Sequence, residues 1–164
     1  MKPSHVVRRG LLALVLCLDI GAFGFAGLGV AQAEEKQESL RPEVGKPLLA
    51  AQELIKAGKY KDALAKIGAA DAVANKTPYE HFIVERMRAA AAAGAGDSET
   101  AVRSFEAVLD TGRLPPSEQL KILEAIVGTH YRAKDYARAV SAGQRYFKQG
   151  GANPQIRTAV IQAR

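Results

Sequence analysis

"GKYKDALAK" (58–66) is a short phrase that the chain states three times. "GDSETAVRS" fills 96–104 and "KDYARAVSA" fills 134–142, each copy starting 38 residues after the one before. Pro78, Pro116 and Pro154 keep the same spacing, and so do Ala63, Ala101 and Ala139. Gly58 and Gly96 share it as well, with Lys134 in the third place. Three markers in one register describe an internal repeat, which is settled before any single segment is read.

Each unit resolves into two helices. The first runs from a proline to the turn before the phrase, over about 46–57, 79–94 and 117–132, with another starting at 155. Proline suits a first helical turn, where its missing N–H would have no partner anyway. The second helix runs over about 60–73, 98–110 and 136–148. Tyr60, Ala63, Leu64 and Ile67 form one inward stripe, and Ser98, Ala101, Val102 and Phe105 form the next. Tyr136, Ala139 and Val140 begin the third, which Tyr146 and Phe147 close. The stripe's alanine is small because the two helices of a pair cross there; a larger residue would cost roughly 1–3 kcal/mol in overpacking. Gly143 stands where Ile67 and Phe105 supply bulk, so looser packing is expected in the third unit. No stretch alternates at period two over β-branched residues, so the chain reads as all-α.

Ahead of the repeats, residues 1–33 read as a signal peptide. Lys2, Arg8 and Arg9 precede the apolar run "LLALVLCL" (11–18), and "AQA" (31–33) offers a cleavage site after Ala33. Asp19 in the apolar stretch argues against a retained membrane anchor. The expected location is therefore periplasmic. Cys17, the only cysteine, lies within this segment and has Leu16 before it, unlike a lipoprotein signal. The exported chain would hold no disulfide, thiolate metal site or cysteine nucleophile. Residues 34–45, opening with "EEKQESLRPEV", read as a flexible leader.

The formal net charge is +6. The first 33 residues hold three of the 23 basic and one of the 17 acidic groups, so the remainder carries about +4. The two signs are interspersed without a basic run of five, which suits a solvated surface better than a nucleic-acid partner.

The phrases "AGKYKDAL" (57–64), "AGDSETAV" (95–102) and "AKDYARAV" (133–140) resemble the elbow of the tetratricopeptide repeat. The resemblance covers about 46–164. It implies a right-handed solenoid of antiparallel helix-turn-helix repeats at about 46–77, 78–115 and 116–153, with a partial fourth at 154–164. It departs from the family in its 38-residue period, against the usual 34. It also lacks the large first-helix aromatic, with Pro47, Glu85 and Leu123 at that register. Strict register would turn Arg88 inward, whereas Phe82, Ile83 and Met87 form the apolar stripe of that helix. The packing residues that the resemblance implies are Gly58, Tyr60, Ala63, Gly96, Ala101, Phe105, Tyr136 and Ala139.

Family members hold a peptide or helix of a partner on a concave surface lined by the first helices. The resemblance places that groove at Leu48, Gln52, Ile55 and Lys56 in the first repeat, Arg86 in the second, and Lys121, Glu124, Tyr131 and Arg132 in the third. The asparagine–lysine carboxylate clamp of some members has no match. The expected function is a non-catalytic binding or scaffolding module for a protein of the cell envelope, with no cofactor and no small-molecule substrate. The alternative is a structural segment of a longer repeat protein that docks or self-associates through 154–164, where Ile156, Val160 and Ile161 are apolar.

No catalytic or metal constellation competes with this reading. His81 and Glu85 share a helical face but have no third ligand, and a surface hydrogen bond accounts for the pair. His130 ends a first helix, where a cation would complement the dipole. Ser104, Ser117 and Ser141 have no spaced base, and Glu118 and Glu124 lie nearly two turns apart.

Overall fold

The computed structural model describes residues 38–163. The proposed signal peptide, Cys17 and the first part of the leader lie outside them. Seven helices and no strand occur among the described residues: α1 (Pro42–Lys56), α2 (Tyr60–Asp71), α3 (Pro78–Ala95), α4 (Ser98–Asp110), α5 (Pro116–Arg132), α6 (Tyr136–Lys148) and α7 (Pro154–Gln162). The described residues are all-α, in line with their periodicity. None of these helices is long and apolar enough to cross a membrane.

The prolines act as the spacing demands. Pro78, Pro116 and Pro154 open α3, α5 and α7. The turns between α1 and α2, α3 and α4, and α5 and α6 share one backbone solution. Gly58, Gly96 and Lys134 take positive φ. The next N–H then reaches back to a carbonyl five residues earlier: Lys59 to Leu54 (2.8 Å), Asp97 to Ala92 (2.9 Å) and Asp135 to His130 (2.9 Å). This bond satisfies an end-of-helix carbonyl and reverses the chain. Asp97 and Asp135 then cap the following helix by accepting from the backbone N–H of Thr100 and of Arg138 (3.1 Å each). Lys59, at the same place in the first unit, makes no side-chain cap.

Helices pack in chain-order pairs, α1 on α2, α3 on α4 and α5 on α6, and each pair packs on the next. Ala63, Ala101 and Ala139 are fully buried. Val44, Leu48, Ala51, Ala63, Ile67 and Val84 form a core under the first pair. Phe105, Leu123, Ile126, Val127, Tyr146, Ile156 and Val160 form a second under the last two pairs. Burying an Ile67 or a Leu123 side chain contributes about 1.5–3 kcal/mol. First helices meet unevenly: α1 packs on α3 and α5 on α7, whereas α3 and α5 make at most glancing contact. Phe82, Val108 and Leu114 form a small separate cluster, with Ile122 of α5 packed against it.

Three expectations need correction. The leader ends earlier than 45, because α1 begins at Pro42 and leaves Pro47 inside the helix. Val44, Leu48 and Ala51 recur on one buried face, and Arg41 docks on Glu80 of α3. Those tertiary contacts outweigh the hydrogen bond lost at Pro47. Tyr136 is 44% exposed and meets Tyr131 edge-on at 5.6 Å, whereas Tyr60 packs against Gly94 of α3. Gly143 does not loosen the third unit. A Cβ there would lie 2.2 Å from Val160 Cγ2, so α7 fills the space that the missing side chain leaves.

Candidate functional site

Gln52 and Ile55 lie one turn apart on α1, and Ile83, Arg86, Met87 and Ala90 follow at helical spacing on α3. Because α1 packs on α3, these six side chains line one open groove of about 400 Å³. Its floor is apolar, and Gln52 and Arg86 bring polar groups to the rim. Arg86 is held at both ends of its charge: Nη2 lies 3.3 Å from a Glu118 carboxylate oxygen on α5, and the guanidinium carbon is 5.9 Å from the Phe82 ring centre. Both partners of that ion pair are partly exposed, so it orients Arg86 more than it stabilises the fold. An amide, a guanidinium and an apolar floor can together hold an extended or helical segment with acidic and apolar residues.

Three of the nine expected groove residues, Gln52, Ile55 and Arg86, are thus brought together. The other six are not. Leu48 is 2% exposed and belongs to the core, because it lies four residues after Val44 on the buried face of α1. Lys56 is exposed and pairs within its own helix with Glu53 at 2.8 Å. Lys121 and Arg132 are exposed on α5, and Arg132 donates to the Thr129 hydroxyl at 3.3 Å. Glu124 is turned to the interior of its own unit, where it accepts a hydrogen bond from the Tyr146 hydroxyl at 2.8 Å. Tyr131 donates to Gln162 of α7 at 3.1 Å. Ile83 and Met87, read beforehand only as the apolar stripe of α3, belong to the groove as well.

Polar contacts hold the two helices of the groove in place. Arg41, just before α1, donates from Nε to Glu80 Oε1 (2.9 Å), from Nη2 to Oε2 (2.8 Å), and from its backbone N–H to Oε1 (3.0 Å). The Thr77 N–H donates to Glu80 Oε2 at 2.8 Å, and the Thr77 hydroxyl accepts from the Glu80 N–H at 3.1 Å. This closes a reciprocal cap at the head of α3. The Arg41 guanidinium, followed by the Thr77 N–H, holds the Glu80 carboxyl down at about 2. The pattern "TPYE" (77–80) carries the cap in sequence, but nothing local discloses Arg41 as its partner.

The histidine readings change. His81 is exposed while Glu85 is buried and pairs with Arg88, so His81 and Glu85 do not form the expected surface pair. Arg88 also reaches Asp71 of α2 at 2.7 Å, which explains a basic residue turned inward there. His130 is buried, and desolvation pushes its pKa below the ordinary histidine value. It is not the exposed helix-end cation that its position suggests. Among the described residues, no group of three or more His, Cys, Asp or Glu side chains is placed to hold a metal ion.

No protein-family model, curated protein or solved structure matches this chain.

Proposed function

We propose that this chain is a non-catalytic interaction module, a right-handed solenoid of tetratricopeptide-like repeats exported to the cell envelope, that holds a peptide or helix of a partner protein. The observation that carries the reading is the α1–α3 groove, where Gln52, Ile55, Ile83, Arg86 and Met87 converge from two helices. Support for the repeat comes from the chain's own residues: the elbow bonds, the opening prolines and the buried alanines all recur in register. The groove's arginine and apolar floor favour a segment that alternates acidic and apolar residues.

Selection of peptides from a random library on the purified chain tests this. Acidic–apolar sequences should be enriched, and their binding should fall at least tenfold in Arg86→Glu and in Ile55→Asp, with helical circular dichroism unchanged. Enriched peptides that bind both variants as tightly as the parent chain would place the site elsewhere and defeat the proposal.

Docking through α7 is the second reading. It rests on Ile161, which is 63% exposed. Ile156 and Val160 are buried against the third unit, so α7 presents one apolar side chain rather than a face, and the groove is the better supported of the two.

A further inference from the structure

Residues 38–41 read as part of a leader in the sequence, yet the structure fastens them at both ends. At one end Arg41 donates to the Asn75 carbonyl at 3.0 Å, in addition to its bonds to Glu80. Leu40 packs against the core of the first pair. At the other end Glu38 accepts two parallel hydrogen bonds from Arg113, 75 residues on. Arg113 Nη1 donates to Oε2 at 2.6 Å and Nη2 to Oε1 at 3.0 Å. Arg113 stands in the loop that leads from α4 into α5, so the pair ties the entry of α1 to the entry of α5. The helices α1 and α5 do not themselves pack on each other.

Arg113 is seated as well as paired. Its guanidinium carbon lies 6.0 Å from the Tyr79 ring centre. Tyr79 packs against the cluster of Phe82, Val108 and Leu114, and Leu114 follows Arg113 in the chain. That cluster and the Arg86–Glu118 pair are what bridge α3 and α5, which otherwise meet thinly. A lone exposed ion pair stabilises little, chiefly because two long side chains must be ordered to make it. Here the ring already orients the arginine, and Leu40 and Arg41 already fix the chain that carries the carboxylate. The two-pronged geometry then sets direction as well as distance.

We propose that residues 38–41 are a strap that holds the α3–α5 side closed, with the Glu38–Arg113 pair as its releasable clasp. Both clasp residues are partly exposed, so salt weakens that end first. The Arg41 end stays seated, because Glu80 is fully buried. Release frees the head of α5 from α3 while α1 remains docked on α3.

The test places spin labels on the full chain at His81→Cys in α3 and Lys121→Cys in α5, both exposed positions, with Cys17→Ser removing the native thiol. Double electron–electron resonance should give one narrow distance for this parent. Glu38→Arg should add a longer and broader population, and so should 1 M salt. Combining Glu38→Arg with Arg113→Glu rebuilds the pair in reverse and should restore the narrow distance. Amides of the first turn of α5 should exchange hydrogen about two- to fivefold faster in Glu38→Arg, the value of one well-seated surface pair, with those of α2 unchanged. Unchanged distances and exchange in Glu38→Arg overturn the proposal, as does a reversed pair that behaves like Glu38→Arg alone. A general loss of helical circular dichroism in Glu38→Arg overturns it too, since the segment would then be part of the core rather than a releasable strap.

Discussion

Replacing Lys134 with glycine should make this protein more stable. The three elbows have φ of 71° at Gly58, 78° at Gly96 and 60° at Lys134, so the third bears a side chain in a region that glycine tolerates best. That conformation costs an L-residue roughly 1–2 kcal/mol. Glycine returns about 0.5–1 kcal/mol of this through its greater freedom in the unfolded chain. The balance is a gain of roughly 0.5–1 kcal/mol for Lys134→Gly. Packing contributes little to the comparison: a Cβ at Gly58 or Gly96 would meet nothing within 4 Å, and Lys134 is exposed. The gain corresponds to a rise in Tm of about 2–5 °C for a domain of this size. Urea unfolding followed by helical circular dichroism measures it, and Gly96→Ala should move the midpoint the other way by about 1 kcal/mol. A lower midpoint for Lys134→Gly, at unchanged slope, would refute the assignment of the elbow as a backbone-controlled turn.

Glu80 predicts a pH dependence with a defined sign. Its carboxyl titrates at about 2 when folded and near the usual 4.5 when unfolded, so its stabilisation is present above 4.5 and is lost as the pH falls from 4.5 towards 2. Unfolding midpoints measured from pH 5 to pH 2 should decline, and Arg41→Gln should flatten that decline; an identical slope in the variant would remove Arg41 from the account. Gly143→Ala should cost roughly 1–3 kcal/mol by driving a methyl into Val160, and Val160→Ala in the same chain should recover part of the loss. Thermal unfolding of the single and double variants checks the pair, and additive losses would show that the two positions do not touch.

Much of the helix layout was legible because its punctuation is backbone chemistry written locally. A proline that opens a helix and a glycine that ends one act through their own φ, so Pro78, Pro116, Gly58 and Gly96 marked their boundaries without reference to the rest of the chain. The start of α1 was hidden for the opposite reason. Pro42 opens a helix whose inward face is fixed by Val44 meeting the core and by Arg41 reaching Glu80 across 39 residues. The same distant control misdirected the groove. Leu48 looked available on the first helix, but the rotation of α1 is set by that buried face. Glu124 looked like a rim charge, but Tyr146, 22 residues on, claims it. Gln52, Ile55 and Arg86 converge where repeat register and tertiary rotation agree.

The glancing contact between α3 and α5 has a mechanical consequence. Phe82, Val108 and Leu114 fill that seam as a thin apolar gasket, and the Arg86–Glu118 pair spans it as a partly solvated strut. The same two units are joined on their other side by α4 on α5 and by the core that Phe105 shares with Leu123 and Ile126. That packed edge acts as a hinge, and the α3–α5 side is the one that would open about it under load. The separation of Arg86 from Glu118 would report such an opening.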